Sequence, residues 1–119
     1  MKNTFGRRVR GKREALRSLD PRFGLRQTAA RSGIEPSYLS KVERGLAPPP
    51  SEPAIGRLAE SLALDRDELL ALAGKIPEDV RQTILKRPKL LAGLVRQFAE
   101  VSDQAVLRVI LRARRTGKQ

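Results

Sequence analysis

The residues best suited to chemistry in this sequence lie between Gly33 and Gly45. A helix that begins at Pro36 would turn through about 100° per residue. One side of it would then carry a stripe of Ser37, Lys41 and Arg44, flanked by Tyr38 and Ser40. The opposite side would carry Leu39 and Val42, which can be buried. A short helix with an apolar back and a front of hydroxyls and cations suits the base edges and phosphates of DNA, so the pattern predicts a recognition helix.

The residue types that are missing argue against an enzyme. The chain has no histidine and no cysteine, which removes the commonest general base, thiolate nucleophiles and most zinc sites. The acidic group around Asp65 is explained by helix capping, because Asp65 stands three residues before Glu68. We therefore expect no catalytic residue, no metal, no cofactor and no enzymatic activity.

The charge of the chain is strongly basic and unevenly distributed. Its net charge is +12 over 119 residues. Residues 1–50 carry 12 Lys+Arg against 4 Asp+Glu, residues 51–75 carry 3 against 5, and residues 76–119 carry 10 against 4. Acidic partners are expected, with nucleic acid ahead of an anionic membrane. A basic region beside an acidic one favours a directional binding face.

The N-terminus and the apolar runs suggest where the protein acts. Residues 1–8 lack the apolar segment of a signal peptide, and no run approaches the ~18 apolar residues of a membrane-spanning helix. With double-stranded DNA as the expected partner, we predict a cytoplasmic, nucleoid-associated protein without a membrane partner.

Helical periodicity and breaking residues divide the first 75 residues into five helices. The predicted segments are 4–18, 25–32, 36–44, 53–63 and 65–73. Gly33 can take the left-handed conformation of a sharp turn between the second and third helices, and Pro36 suits the first position of the third. Ser18–Arg22 reads as a loop and Ala47–Ser51 as an extended connector. No segment favours a strand.

Residues 76–119 contain three more amphipathic stripes, which predict three short helices. Their apolar surface is large for so small a segment, so it must cover the first domain or a second copy of the chain. Self-association is favoured over membrane binding because the polar faces carry acids as well as bases and Trp is absent. The expected dimerisation residues are Leu90, Leu91, Leu94, Phe98, Val106 and Ile110. The predicted domains are thus 1–75 for DNA binding and 76–119 for dimerisation.

A set of residues in the first domain also falls at a known spacing. The set is Arg26, Ala29, Gly33-Ile34, Pro36-Ser37-Tyr38-Leu39-Ser40 and Glu43-Arg44-Gly45, followed by Leu58-Ala59, Leu62, Leu64 and Asp67-Glu68-Leu69-Leu70. Over residues 5–73 this pattern resembles the phage-repressor-like (Cro/Xre-type) helix-turn-helix DNA-binding family. The resemblance implies a five-helix repressor-like domain. Together with the three helices predicted after it, the expected fold is all-α, and residues 76–119 are assigned to no family.

The resemblance further implies roles for individual residues. Ala29 would be small because the second and third helices cross there, and Arg13 would pair with Glu43 to lock the unit. The positions that reach base edges in the major groove are Pro36, Ser37 and Lys41. The positions that contact the DNA backbone are Arg26, Gln27, Tyr38, Ser40 and Arg44.

Two features depart from the family pattern. Leu25 stands where many members have a DNA-contacting Gln, so Arg26 or Gln27 must supply that contact. The loop from residue 16 to 23 is several residues longer than usual. Arg22 within it is either an additional backbone contact or part of a solvated bulge.

Three functions remain open at the level of sequence. The leading one is a sequence-specific transcriptional regulator, more readily a repressor, that binds an inverted-repeat operator as a homodimer. A non-specific nucleoid or architectural protein would use the basic charge alone. An antitoxin-type module would use residues 76–119 to sequester a protein partner and would regulate its own synthesis through DNA binding. A small-molecule effector is left open.

Overall fold

The computed structural model describes residues 3–117, and every regular element in that range is helical. The α-helices are α1 (Thr4–Arg17), α2 (Leu25–Ser32), α3 (Pro36–Glu43), α4 (Glu52–Ser61), α5 (Arg66–Leu72), α6 (Glu78–Lys86), α7 (Pro88–Gln97) and α8 (Asp103–Gly117). The predicted all-α fold, with five helices followed by three, is confirmed. The chain divides into two compact units, residues 1–77 with α1–α5 and residues 78–119 with α6–α8. Across residues 3–117, no helix combines the length and apolarity needed to cross a membrane.

Local chemistry explains where several helices begin. Pro36 occupies the first position of α3, where an N–H would have no intrahelical partner anyway. Ser51 caps α4, and the Asp65 carboxylate caps α5 by accepting from the Glu68 N–H at 2.9 Å. The Glu68 carboxylate does not complete a capping box. It accepts a hydrogen bond from Arg8 Nε at 3.2 Å instead, which ties α5 to α1.

The first unit is built around one aliphatic core to which all five of its helices contribute. Its buried hydrophobic residues are Phe5, Val9, Ala29, Ile34, Leu39, Val42, Ala54, Ile55, Leu58, Ala59, Leu62, Leu69 and Leu70. Phe5 is the one aromatic residue among them, so branched aliphatic side chains supply nearly all of the packing. Because Leu39 and Val42 belong to this core, the back of α3 is anchored in the unit.

The segment between α1 and α2 is more regular than the predicted loop. Pro21–Phe23 form a 3-10 turn, and the Asp20 carboxylate caps it by accepting from the Arg22 N–H at 2.9 Å. Phe23 packs against the core, and the Arg31 guanidinium lies 4.8 Å from its ring centroid, a cation–π contact. The expectation of a plain loop is corrected, because Asp20-Pro21 starts a capped turn that delivers Phe23 to the core.

The second unit has no equivalent core. None of the residues of α6, α7 or α8 is buried. Its exposed large hydrophobic residues are Val80, Leu85, Leu90, Leu94, Val95, Val101, Leu107, Val109, Ile110 and Leu111. The three helices are amphipathic, but their apolar sides are not covered within the unit.

Candidate nucleic-acid interface

Helix α3 presents the predicted recognition surface with its back buried and its front exposed. Leu39 is fully buried and Val42 is 2% exposed. Ser37 and Lys41 are exposed, and Arg44 is exposed directly after the last residue of the helix. Three donor side chains therefore lie along the open side of a helix whose orientation is fixed by the core.

A glycine turn sets the angle between α2 and α3. Gly33 has φ +66°, a left-handed conformation that a residue with a Cβ adopts only with strain. The N–H of Gly33 donates to Ala30 O at 3.2 Å, and the N–H of Ile34 donates to Ala29 O at 2.9 Å. These two bonds satisfy the last carbonyl groups of α2. Ile34 then enters the core and Ala29 is fully buried, so the two helices are held close together.

Arg57 of α4 contacts the turn between α2 and α3. Its Nε donates to Ser32 O at 2.9 Å, and its guanidinium lies over Gly33, where a Cβ would come within 3.3 Å of it. This role of Arg57 is not predicted from the sequence, because the contact joins residues 25 positions apart and leaves no local pattern.

Arg13 and Glu43 form a buried ion pair between α1 and the end of α3. Arg13 Nε lies 2.7 Å from Glu43 Oε2 and Arg13 Nη2 lies 2.8 Å from Glu43 Oε1, a bidentate geometry. The two side chains are 5% and 4% exposed. The hydrogen bonds with Glu43 raise the pKa of Arg13 above its ordinary value, so the guanidinium remains charged. The pair that the family resemblance implied is therefore present as a contact.

The N-terminus of α1 also holds the end of α3, in a way the sequence analysis did not foresee. Asn3 Nδ2 donates to Glu43 O at 3.1 Å. Gly6 lies so close that a Cβ there would collide with Val42 O and come within 2.9 Å of Glu43 O. A glycine inside a helical pattern is the one sequence signal that points to such a close approach. Helix α1 thus contacts the last turn of α3 through both side chain and backbone.

The residues predicted to contact the DNA backbone from α2 differ in their surroundings. Arg26 is exposed. With its amide in the orientation that satisfies both ends, Gln27 donates to Arg22 O at 3.1 Å and Pro21 O at 3.0 Å. Leu25 is half-buried and packs against the core. Of the two predicted backbone contacts on α2, Gln27 is hydrogen-bonded to the 3-10 turn and Arg26 is the one exposed to a ligand without such a bond among the described residues.

The backbone candidates on α3 also have intramolecular partners. The Tyr38 hydroxyl donates to Pro48 O at 2.6 Å, which holds the connector after α3 against the helix. Arg44 Nε donates to Ser40 O at 3.3 Å, a long bond that leaves its terminal nitrogens available. Ser40 itself is half-buried. If Tyr38 is to donate a hydrogen bond to a DNA phosphate, its hydroxyl must first break the hydrogen bond with Pro48 O.

Arg22 is paired with an acid of its own turn. Its side chain donates to both carboxylate oxygens of Asp20, at 2.8–3.1 Å. These hydrogen bonds hold the pKa of Asp20 below its ordinary value and raise the pKa of Arg22. The turn is therefore close to neutral, which favours the bulge interpretation of Arg22 over an additional phosphate contact.

The predicted dimerisation residues all lie in the second unit. Leu90, Leu94 and Ile110 are 72%, 40% and 43% exposed. Leu91, Phe98 and Val106 are half-buried.

No group of three or more acidic residues in the described range is arranged to hold a metal ion.

Comparison with known proteins gives one family match. A family model described as a helix-turn-helix domain matches residues 4–72, which span α1 to α5 and more than half of the chain. The predicted resemblance, over residues 5–73, is confirmed by this match. No curated protein and no solved structure matches the chain. The second unit lies outside the matched range.

Proposed function

The chain belongs to the helix-turn-helix domain family, and on that premise we propose that it is a transcriptional regulator that binds a specific DNA sequence. The observation that carries the proposal is α3, whose apolar back is buried while its polar front is exposed. Neither catalytic activity nor a cofactor forms part of the proposal. The proposed site of action is the cytoplasmic nucleoid.

In the proposed complex α3 enters the major groove and reads base edges. Pro36, Ser37 and Lys41 are the proposed reading residues, the first two at the start of the helix and Lys41 in its last turn. Lys41 suits the acceptors of guanine, and Ser37 can donate or accept. The exposure of Ser37 and Lys41 and the rigid support of α3 by the Arg13–Glu43 pair are consistent with this role.

The proposed backbone contacts surround this reading surface. They are Arg26, Gln27, Tyr38, Ser40 and Arg44. Arg26 and Arg44 are the strongest members, because each has an exposed guanidinium that can bind phosphate through paired donors. Gln27 and Tyr38 would have to exchange partners within the protein, so we expect smaller contributions from them.

We further propose that the second unit joins two copies of the chain. Its helices bury no residue within one chain, and a second copy would cover Leu90, Leu91, Leu94, Phe98, Val106 and Ile110. A two-fold dimer would place two α3 helices on half-sites about 34–36 Å apart or a multiple of that. Occupation of an inverted-repeat operator would then block transcription, so a repressor is the proposed role.

The proposal is tested by selection from random DNA duplexes with the full-length protein. An enriched motif with two-fold symmetry is the expected result. Absence of any motif would favour non-specific coating of DNA. Copurification of an unrelated chain that is lost on truncation after Gly74 would favour the antitoxin-type alternative.

Substitutions on α3 sharpen this test. Lys41→Ala is expected to relax the base preference at one position, worth about 1–3 kcal/mol of discrimination. Arg44→Ala is expected to weaken binding almost equally for all sequences and to lower the slope of log affinity against log salt by about 0.9 for each copy bound to the operator. Arg66→Ala is the control, because Arg66 is an exposed arginine at the start of α5, 3.5 Å from Glu52 of α4, and is not among the proposed DNA contacts. Parental operator affinity in both α3 variants would contradict the recognition-helix assignment.

A further inference from the structure

Helix α8 carries a stripe of three exposed arginines on one side. Arg108, Arg112 and Arg115 are spaced i, i+4 and i+7, so at about 100° per residue they fall within about 60° of one another. All three are exposed, and with Leu111 and Thr116 they line a shallow cavity of about 440 Å³. Among residues 3–117, no carboxylate lies within salt-bridge distance of any of them. We call these three residues the arginine stripe.

Helix stability does not account for the arginine stripe. Cations near a helix C-terminus interact favourably with the helix dipole, but the effect is confined to the last turn. The basic residues in the last turn of α8 are Arg114 and Arg115. Arg108 and Arg112 lie earlier, and like charges at i,i+4 destabilise a helix. The repulsion between these neighbouring cations would be relieved by a bound anion.

The arginine stripe lies opposite the two predicted dimerisation residues of α8. Val106 and Ile110 are about 160° from Arg108 around the helix, whereas Leu111 borders the stripe. A second copy that covers Val106 and Ile110 would therefore leave the three arginines accessible to another ligand. The stripe extends over seven residues, about 10 Å along the helix axis, so its ligand must present several negative charges in a row.

We propose that the arginine stripe binds the phosphate backbone of DNA outside the stretch contacted by α2 and α3. A planar guanidinium binds phosphate through two parallel donors, and three in a line match a repeating polyanion better than an isolated anion. The proposal rests on the proposed function, because DNA is the polyanion that the first unit is expected to bind. It extends the footprint without adding base specificity.

The test compares two full-length triple variants of equal charge. The first is Arg108→Gln/Arg112→Gln/Arg115→Gln. The second is Arg81→Gln/Arg96→Gln/Arg114→Gln, which removes one exposed arginine from each of α6, α7 and α8 and leaves the stripe intact. Affinity for the selected duplex is measured by fluorescence anisotropy between 50 and 200 mM salt, with fold checked by circular dichroism and mass by sedimentation.

Each lost phosphate contact accounts for about 0.9 of the salt slope, so the stripe variant is expected to lower the slope by about 2.7 for each copy of the chain bound to the duplex. Over that fourfold salt range, the affinity of the parent would fall about 40-fold more than that of the variant for each bound copy. The base preference and the sedimenting mass should not change, and the control variant should keep most of the parental slope. Arg112→Gln alone should lower the slope by about 0.9 for each bound copy, whereas Arg114→Gln, on the far side of the helix from Arg112, should not.

Several results would overturn the inference. If the parent binds DNA and the stripe variant keeps its slope, the arginine stripe does not contact DNA while the proposed function stands. If the parent binds no duplex at all, the proposed function itself fails. A changed sedimenting mass would assign the stripe to the self-interface. Stripe-dependent binding to phosphatidylcholine vesicles containing about one quarter phosphatidylserine, with the DNA slope unchanged, would assign it to lipid.

Discussion

The two units of this chain are made of similar amphipathic helices but differ in what covers them. In the first unit thirteen hydrophobic residues are at most 8% exposed, whereas in the second Leu90 is 72% and Val95 65% exposed. Helices α6, α7 and α8 have 9, 10 and 15 residues, and isolated helices of such lengths are marginal in water. Amphipathicity therefore shows that a helix needs a partner, but it does not show whether that partner belongs to the same chain.

The largest effect on stability is expected at the buried Arg13–Glu43 ion pair of the first unit. Helices α6–α8 bury no residue and therefore contain no buried ion pair. Glu43→Gln leaves the Arg13 guanidinium buried without a balancing charge, and we expect a loss of about 3–5 kcal/mol in the free energy of unfolding. Urea unfolding followed by circular dichroism measures this loss. The expected result is a first unit that unfolds at much lower denaturant concentration.

Glu14→Gln is the matched control for this prediction. Glu14 also lies near Arg13, at 3.7 Å, but its side chain is 46% exposed, so its loss should cost less than about 1 kcal/mol. The double variant Arg13→Met/Glu43→Leu should recover most of the stability, because it leaves no charge unpaired. Equal effects of Glu43→Gln and Glu14→Gln would mean that the buried pair does not lock α3.

The next largest effect is expected from a leucine-to-alanine substitution, which should have different consequences in the two units. Leu58→Ala removes a fully buried side chain from the first unit and should lower the free energy of unfolding by about 2–5 kcal/mol at any protein concentration. Leu94→Ala, at a side chain 40% exposed, should leave the unfolding of the first unit unchanged. It should instead weaken the dimer at least tenfold, since a buried leucine contributes about 1.5–3 kcal/mol to an interface.

Urea unfolding at two protein concentrations and sedimentation equilibrium measure the two outcomes. If Leu94→Ala destabilises the first unit as strongly as Leu58→Ala does, the apolar surface of α7 is covered within a single chain. The proposed dimer would then lose its main support.

The position of α3 could be predicted because its signals are local. Gly33 and Pro36 mark the turn and the first residue of the helix, and the alternation of Leu39 and Val42 with polar residues defines its two sides. The pairing of Arg13 with Glu43 is not local, and it was reached only through the family resemblance. The roles of the reading and backbone residues remain predictions.

The contacts that were missed depend on how helices dock rather than on how they form. Asn3 and Gly6 meet the end of α3 only because α1 crosses it, and Arg57 reaches Ser32 only because α4 packs on α2. The hydrogen bond from the Tyr38 hydroxyl to Pro48 O likewise depends on the path of the connector after α3. Periodicity predicts a buried side of a helix, but it does not identify the residue that lies opposite.

The smallest expected effects come from glycines within helices, which report how closely another element approaches. Gly6→Ala should destabilise the first unit by about 1–3 kcal/mol, because its Cβ collides with the carbonyl oxygen of Val42. Gly11→Ala lies in the same helix with no atom of another element within 4 Å in the part described by the structure. It should stabilise by about 0.5–1 kcal/mol, the gain in helix propensity. A stabilising Gly6→Ala would contradict the close contact between α1 and α3.

Gly93→Ala applies the same probe to α7 of the second unit. Within one chain, the described residues leave the space around Gly93 as open as that around Gly11, so the helix-propensity gain of about 0.5–1 kcal/mol is again expected. Helicity is measured by circular dichroism at low and high protein concentration. A gain at low concentration that turns into weaker self-association at high concentration would mean that the second copy packs on the Gly93 side of α7. A gain at both concentrations would confine the interface to the side that carries Leu90 and Leu94.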